Sequence, residues 1–157
     1  MTWTAGQRRA HRQLGFTLLE LMVVIGILAL AVAIVAPALN RARLGLMARS
    51  AAYELAADLR AARAAARAAN VERVLTLDLT GRRYWAEGVV GARMFPPNVK
   101  VELAVPESER IGISSGRVRF FPDGSASGAK VVLDDGRSAA SVSVDWLNGD
   151  VRIELRP

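Results

Sequence analysis

The chain has 157 residues, with 21 lysines and arginines against 15 aspartates and glutamates, which gives a net charge of +6. This length suits one modest domain plus a short additional segment. It contains no cysteine, which excludes disulfide bonds and thiolate chemistry.

The first element in chain order is a long apolar run. No charged residue occurs between Glu20 and Arg41. At about 1.5 Å of rise per residue, the roughly 20 residues from Phe16 onward would span about 30 Å, the thickness of one bilayer core. Glu20 needs an explanation, because a charged side chain inside a membrane helix costs roughly 2.5–3.5 kcal/mol. It is either the headgroup end of a simple single-pass anchor or a functional carboxylate.

The residues around Glu20 favour a functional carboxylate. A short basic leader, Gly15, Phe16, a glutamate four residues after that phenylalanine, and the apolar run follow one another in this order. The order resembles the class III signal of type IV pilins and type II secretion pseudopilins. The resemblance implies that a prepilin peptidase cuts between Gly15 and Phe16, methylates the new N-terminal Phe16 and leaves Glu20 as an assembly contact. It also implies a single-pass protein of the bacterial inner membrane, with the leader cytoplasmic and the head periplasmic.

Removal of the leader, residues 1–15, would change the charge of the chain. Arg8, Arg9 and Arg12 would be lost, which lowers the net charge by three to +3, together with His11, the only histidine. A serine–histidine–aspartate triad or a histidine-based zinc site is therefore excluded in the mature chain. The remaining charge does not indicate a nucleic-acid partner, and we expect only weak, non-specific DNA binding.

One long helix is predicted from about residue 16 to residue 69. Residues 16–39 form its transmembrane half, and Pro37 is predicted to kink it. Residues 40–69 form an amphipathic half rich in good helix formers. Its apolar residues recur at steps of three and four, which places them on one face: Leu44, Ala48, Ala51, Leu55, Leu59, Ala62 and Ala66. The arginines mostly avoid that face, either as a solvated surface or as contacts to neighbouring subunits or acidic lipid.

From Asn70 the apolar period changes to two, so residues 70–157 are predicted to form a periplasmic β-rich head. Strands are predicted at residues 74–79, 83–86, 99–105, 118–121, 129–133, 141–146 and 151–155, separated by glycine-containing turns. The segments 87–97 and 106–116 are predicted to be irregular.

The apolar helix face must pack against this sheet. The expected fold class is α+β, a pilin-like lollipop with a long N-terminal helix on an antiparallel β-sandwich-like head. Phe120, Phe121 and Trp146 are candidate core residues, because aromatic side chains at strand spacing are usually buried.

Three aspartates, Asp123, Asp134 and Asp135, are close to glycines in predicted turns. They could form a calcium site. Stabilisation of the turn backbone is the simpler role, so we expect no metal and no cofactor. No nucleophile–base pair or phosphate-binding loop appears, and we expect neither an enzyme nor a small-molecule substrate.

The C-terminal half carries a second resemblance. Residues 118–128, 135–137 and 142–153 resemble the GspH/FimT family, and with the N-terminal signal the resemblance covers about 15–69 and 118–153. Residues 89–115 match no pattern. The resemblance implies a minor pseudopilin at or near the tip of the type II secretion pseudopilus, which supports export of folded proteins across the outer membrane. Its partners would be other minor and major pseudopilins, the prepilin peptidase and the inner membrane.

A FimT-like minor pilin of a type IV pilus is the alternative, since some members of that group bind DNA through a basic C-terminal region. Here only Arg156 and Pro157 follow the last predicted strand, and Glu154 dilutes the charge. A membrane-anchored enzyme is a third alternative, and no motif supports it.

Overall fold

The structure, a computed structural model, describes residues 17–156, without the side chains of residues 35–45. The chain divides into two compact units, Met1–Leu39 and Asn40–Pro157. Helix α1 covers Leu18–Ala69, close to the predicted range. The strands that follow are β1 Arg73–Asp78, β2 Arg83–Ala86, β3 Val90–Met94, β4 Lys100–Ala104, β5 Arg110–Ile111, β6 Ser115–Phe120, β7 Ala129–Asp134, β8 Ala139–Val144 and β9 Val151–Arg156, with a short 3-10 helix at Glu107–Glu109 before β5.

The first unit contains the start of α1. The hydroxyl of Thr17 accepts a hydrogen bond from the N–H of Glu20 at 3.1 Å, which is the usual N-cap arrangement. Large apolar side chains from Leu18 to Ile34 are exposed. Across the described residues, none of the helices combines the length and the hydropathy needed to cross a bilayer. The transmembrane assignment of residues 16–39 and the kink at Pro37 both stay predictions.

The end of α1 is set by Asn70, whose positive φ of 50° takes the chain out of the helix. The N–H of Val71 donates to the carbonyl of Ala66 at 3.1 Å, which closes the last turn. In β1 the predicted alternation is confirmed, because Leu75 and Leu77 are buried while their neighbours are half-exposed.

The strands form two antiparallel sheets. The first sheet has the order β3-β2-β1-β6-β5, and the second has the order β4-β7-β8-β9. One hydrophobic core joins the helix to both sheets: Ala48, Ala52, Leu55 and Leu59 come from α1, Leu75, Leu77, Val118 and Phe120 from the first sheet, and Val131, Leu133 and Val142 from the second. The α+β fold and the apolar helix face from Ala48 to Ala66 are therefore confirmed.

Two segments predicted to be irregular contain strands. Strand β3 lies within 87–97 and β5 within 106–116, and β6 begins at Ser115 rather than Val118. The apolar period fails in these segments because their side chains are mostly exposed, so backbone pairing alone defines the strands.

Phe120 is fully buried, as predicted, and Phe121 is half-buried. Trp146 is not a core residue, because 68% of its surface is exposed. Strand β8 ends at Val144, and Trp146 lies in the turn that leads to β9. The alternation of buried and exposed residues along a strand therefore does not determine where the side chain of Trp146 points.

Candidate assembly surfaces

Glu20 lies in the first turn of α1, where a carboxylate is favoured by the positive end of the helix dipole. Its side chain is exposed and forms no hydrogen bond or ion pair with the residues that the structure describes. Gly15 and Phe16 lie outside the described residues, as does the side chain of Pro37.

A cluster of polar side chains joins α1 to the first sheet. The hydroxyl of Tyr84 donates to Asp58 at 2.9 Å, and Nε of Arg93 lies 2.8 Å from the same carboxylate. Arg93 also reaches Glu54, one helical turn earlier, at 2.6 Å. Burial raises the pKa of Tyr84, and its hydrogen bond to Asp58 raises it further. Tyr84 therefore stays protonated and acts as a fixed donor.

Two arginines of α1 form hydrogen bonds to backbone carbonyls of the head. Arg63 donates from Nε to the carbonyl of Gly124 at 3.1 Å and from Nη2 to the carbonyl of Asn148 at 2.5 Å. Arg60 donates to the carbonyl of Val151 at 2.7 Å. Part of the predicted arginine face therefore holds the turn between β8 and β9 on the helix.

A second ion-pair network lies on the first sheet. Glu109 is buried, and its carboxylate accepts a hydrogen bond from Nε of Arg119 at 3.0 Å. Nε of Arg117 lies 3.3 Å from the second carboxylate oxygen. Arg119 also pairs with Glu72 at 2.9 Å. No sequence motif indicates Glu109, because it lies in a segment without periodicity; the two arginines at alternating positions of β6 are the one available signal.

The turn aspartates bind their own backbone. Asp123 accepts from the N–H of Ser125 at 2.8 Å, and Asp134 accepts from the N–H of Gly136 at 2.7 Å. Asp135 accepts from the N–H groups of Ser138 at 2.9 Å and, on α1, of Ala48 at 3.2 Å. Within residues 17–156 no group of acidic or histidine side chains is arranged to hold a metal ion. These contacts agree with the turn-stabilising role.

The described polar sites hold parts of the chain together or are exposed for contacts. The buried carboxylates Asp58 and Glu109 are both neutralised by arginine. The exposed groups, Glu20 and the apolar side chains of the first unit, are suited to contacts with other molecules.

Comparison with known proteins identifies the family. The family model for the prokaryotic N-terminal methylation motif matches residues 10–36, and that for type II transport protein GspH matches residues 51–149. The chain belongs to the GspH family. It is 32% identical over 143 residues to type II secretion system protein H of Xanthomonas campestris, a match that covers 90% of this chain and 84% of the relative.

One solved structure agrees with the fold. The minor pseudopilin EpsH from the type 2 secretion system of Vibrio cholerae aligns with a TM-score of 0.55 at 10% identity, over 69% of this chain and 96% of that one. This likeness shows the shared α+β fold. The type IV minor pilin FimU of Pseudomonas aeruginosa aligns with a TM-score of 0.49 at 16% identity, over 69% of this chain and 92% of that one.

Family membership defines the general role of the chain. GspH-family proteins are minor pseudopilins of type II secretion, structural subunits that assemble with other pseudopilins, and this chain is one of them rather than an enzyme. The family and the methylation motif together imply an N-terminal helix anchored in a membrane.

Proposed function

We propose that this GspH-family chain is a minor subunit at or near the tip of the type II secretion pseudopilus, where it supports export of folded proteins across the outer membrane. The observation that carries the proposal is the pairing of a methylation motif over residues 10–36 with a GspH head over residues 51–149 in one chain.

The N-terminal segment would be cleaved, methylated and inserted into the membrane as in type IV pilins and pseudopilins. A prepilin peptidase would remove residues 1–15, methylate Phe16 and leave residues 16–39 as a single span in the inner membrane. Residues 40–157 would lie in the periplasm, with residues 40–69 as the amphipathic half of the helix and residues 70–157 as the head. The exposed apolar side chains of the first unit support this arrangement, because they need apolar surroundings.

Glu20 would fix the position of the subunit in the filament. Cleavage gives Phe16 a positively charged amine, and Glu20 follows one helical turn later. Pairing of Glu20 with the N-terminal amine of an adjacent subunit would neutralise two charges that are each costly in lipid. Such a pair favours one axial register, and the exposed position of Glu20 in the first turn of α1 supports this role.

The experiment is an in-frame deletion in the native bacterium, followed by measurement of secreted enzymes in the culture medium and of type IV pilus-dependent motility. The proposal predicts that exoproteins accumulate in the periplasm, that motility is unchanged and that the full-length chain restores secretion. Loss of motility with normal secretion would instead identify a FimT-like minor pilin.

A further inference from the structure

The carboxylate of Asp135 reaches from the turn between β7 and β8 to the backbone of α1. Its Oδ1 atom accepts hydrogen bonds within the turn, from the N–H groups of Arg137 at 3.1 Å and Ser138 at 2.9 Å. Its Oδ2 atom accepts a hydrogen bond from the N–H of Ala48 at 3.2 Å. One oxygen therefore holds the turn, and the other is directed at the helix.

A side-chain acceptor at Ala48 is unusual, because this residue lies in the interior of α1. The regular partner of an N–H inside an α-helix is the carbonyl four residues earlier, which here is that of Leu44. Only the first four N–H groups of a helix have no such partner and need an acceptor from elsewhere. The contact from Asp135 is therefore of the kind that is made at the start of a helix.

A glycine three residues before Ala48 gives this contact a second meaning. Gly45 is unfavourable in the interior of a helix but is accepted at the N-cap position. If a helix began with Gly45 as its N-cap, Ala48 would be its third residue, whose N–H normally donates to the side chain of the N-cap residue. Glycine has no side chain, and the Asp135 carboxylate supplies the acceptor together with a negative charge that the helix dipole favours.

The packing of α1 on the head begins at the same place. Leu46 is exposed, Met47 is half-buried, and Ala48 is the first residue of the described chain that belongs to the core. Because Ala48 is fully buried, its N–H could not turn to water if the preceding turn of the helix were lost. With Asp135 in place, this N–H keeps a partner in either case.

We propose that Gly45 is a joint in α1 and that Asp135 is the cap of the part of the helix that belongs to the head. The residues before Gly45 can then unwind or change direction while residues 48–69 stay helical and packed on the two sheets. The head keeps its core and its capped helix in both conformations.

The joint is distinct from the kink predicted at Pro37, which lies eight residues earlier. A proline disturbs a helix because it has no N–H and because its ring collides with the preceding turn. Gly45 keeps its N–H, so α1 can be continuous through this residue, as it is in the structure. The inference does not rest on the proposed function, because it concerns how the helix is attached to its own head.

Hydrogen exchange followed by mass spectrometry, on the full-length chain in detergent, tests the joint. In the wild type the N–H groups of residues 40–47 should exchange at least about tenfold faster than those of residues 52–59, because the joint opens without opening the packed helix. Asp135→Ala should speed exchange at residues 48–51 by about fivefold, the usual effect of losing an N-cap side chain. Asp134→Ala is the matched control, since Asp134 lies in the same turn, accepts from the N–H of Gly136 and should not affect residues 48–51.

Gly45→Ala distinguishes a joint from a simple contact between Asp135 and the helix. It should slow exchange at residues 40–47 by about fivefold, because alanine is strongly favoured over glycine in the interior of a helix. It should also reduce the effect of Asp135→Ala on residues 48–51, because a continuous helix provides the Leu44 carbonyl as the partner of the Ala48 N–H. The two substitutions are therefore expected to be non-additive.

Three results would overturn the proposal. They are equal exchange rates for residues 40–47 and 52–59 in the wild type, unchanged exchange at residues 48–51 in Asp135→Ala, and an effect of Asp135→Ala that is as large with Gly45→Ala as without it. If Asp135→Ala unfolds, Asp135→Asn takes its place, because it keeps an acceptor oxygen and loses only the charge. It should speed exchange at residues 48–51 by about twofold.

Discussion

At the scale of single residues, Arg63 shows how a charged side chain can hold distant parts of the head together. Its guanidinium reaches the carbonyls of Gly124 and Asn148, which lie in two different turns of the head. Gly149, next to Asn148, has a positive φ of 65°, and a side chain there would collide with both Arg63 and the Gly124 carbonyl. The contacts of Arg63 therefore require a glycine at position 149, in the turn after β8.

Arg63→Ala should lower the free energy of unfolding of the head by about 1 to 3 kcal/mol, because two hydrogen bonds from a charged donor are lost while the Gly124 carbonyl stays partly buried. Urea unfolding of the full-length chain in detergent measures this change. Arg156→Ala, which removes an exposed arginine with no partner in the described residues, should change stability by less than about 0.5 kcal/mol. Equal effects of the two substitutions would show that Arg63 is not a structural contact.

Asp135 gives a prediction for pH. Burial tends to raise the pKa of its carboxyl, but hydrogen bonds from the N–H groups of Ser138, Ala48 and Arg137 outweigh burial, so the pKa lies below its ordinary value of 3.8. A lowered pKa stabilises the folded state above pH 3.8, and this contribution is lost as the pH falls through the folded-state value. Asp135→Asn should be less stable at pH 7 and should lose less stability on acidification below about pH 4. Measurement of the free energy of unfolding from about pH 7 to about pH 3 tests this. Curves for wild type and variant that stay parallel over this range would contradict the prediction.

The sequence predicts some of these residues and not others for physical reasons. Phe120 is correctly predicted to be buried because it belongs to a strand with a regular alternation. Trp146 is wrongly predicted because a turn residue has no alternation to fix its direction. The contacts of Arg63 and Glu109 are not predictable from spacing, since their partners lie 61 and 10 residues away and meet them only after folding.

At the scale of elements, repetition determines what can be predicted. Helix α1 is predicted over nearly its whole length because its first half is an apolar run as long as a bilayer is thick and its second half repeats the apolar spacing through many turns. Strands β1 and β7 are predicted because alternate residues are buried. Strand β3 is missed because four of its five residues are exposed, so that pairing with β2, and not burial, keeps it extended.

The N-terminal segment carries the next prediction. Protein isolated from cells that contain prepilin peptidase should lack residues 1–15 and carry one additional methyl group on Phe16, because Gly15 allows the chain to bind the peptidase in an extended form. Intact-mass measurement tests this directly. Gly15→Val should block processing, because a branched side chain would obstruct that binding. A mature chain that begins at Met1 or after Ala36 would contradict the predicted signal.

At the scale of the whole molecule, the chain combines two units that differ in the surface they present. The first unit exposes its apolar side chains, whereas Asn40–Pro157 encloses a core of its own. In the sequence, an apolar run without charge is followed by a long segment with regularly spaced arginines. We expect the first unit to hold the subunit in the assembly and the second to present a folded head.

The most direct measurement is recovery of partner pseudopilins with the tagged full-length chain from detergent-solubilised membranes, quantified by mass spectrometry alongside secretion. Wild type and the control Glu107→Leu, an exposed substitution on the head, should recover partners equally. Glu20→Leu should reach the membrane and be cleaved normally but lose partner recovery and secretion, and Glu20→Asp should be intermediate because its shorter side chain reaches less far. Full partner recovery and normal secretion with Glu20→Leu would contradict assembly through this carboxylate.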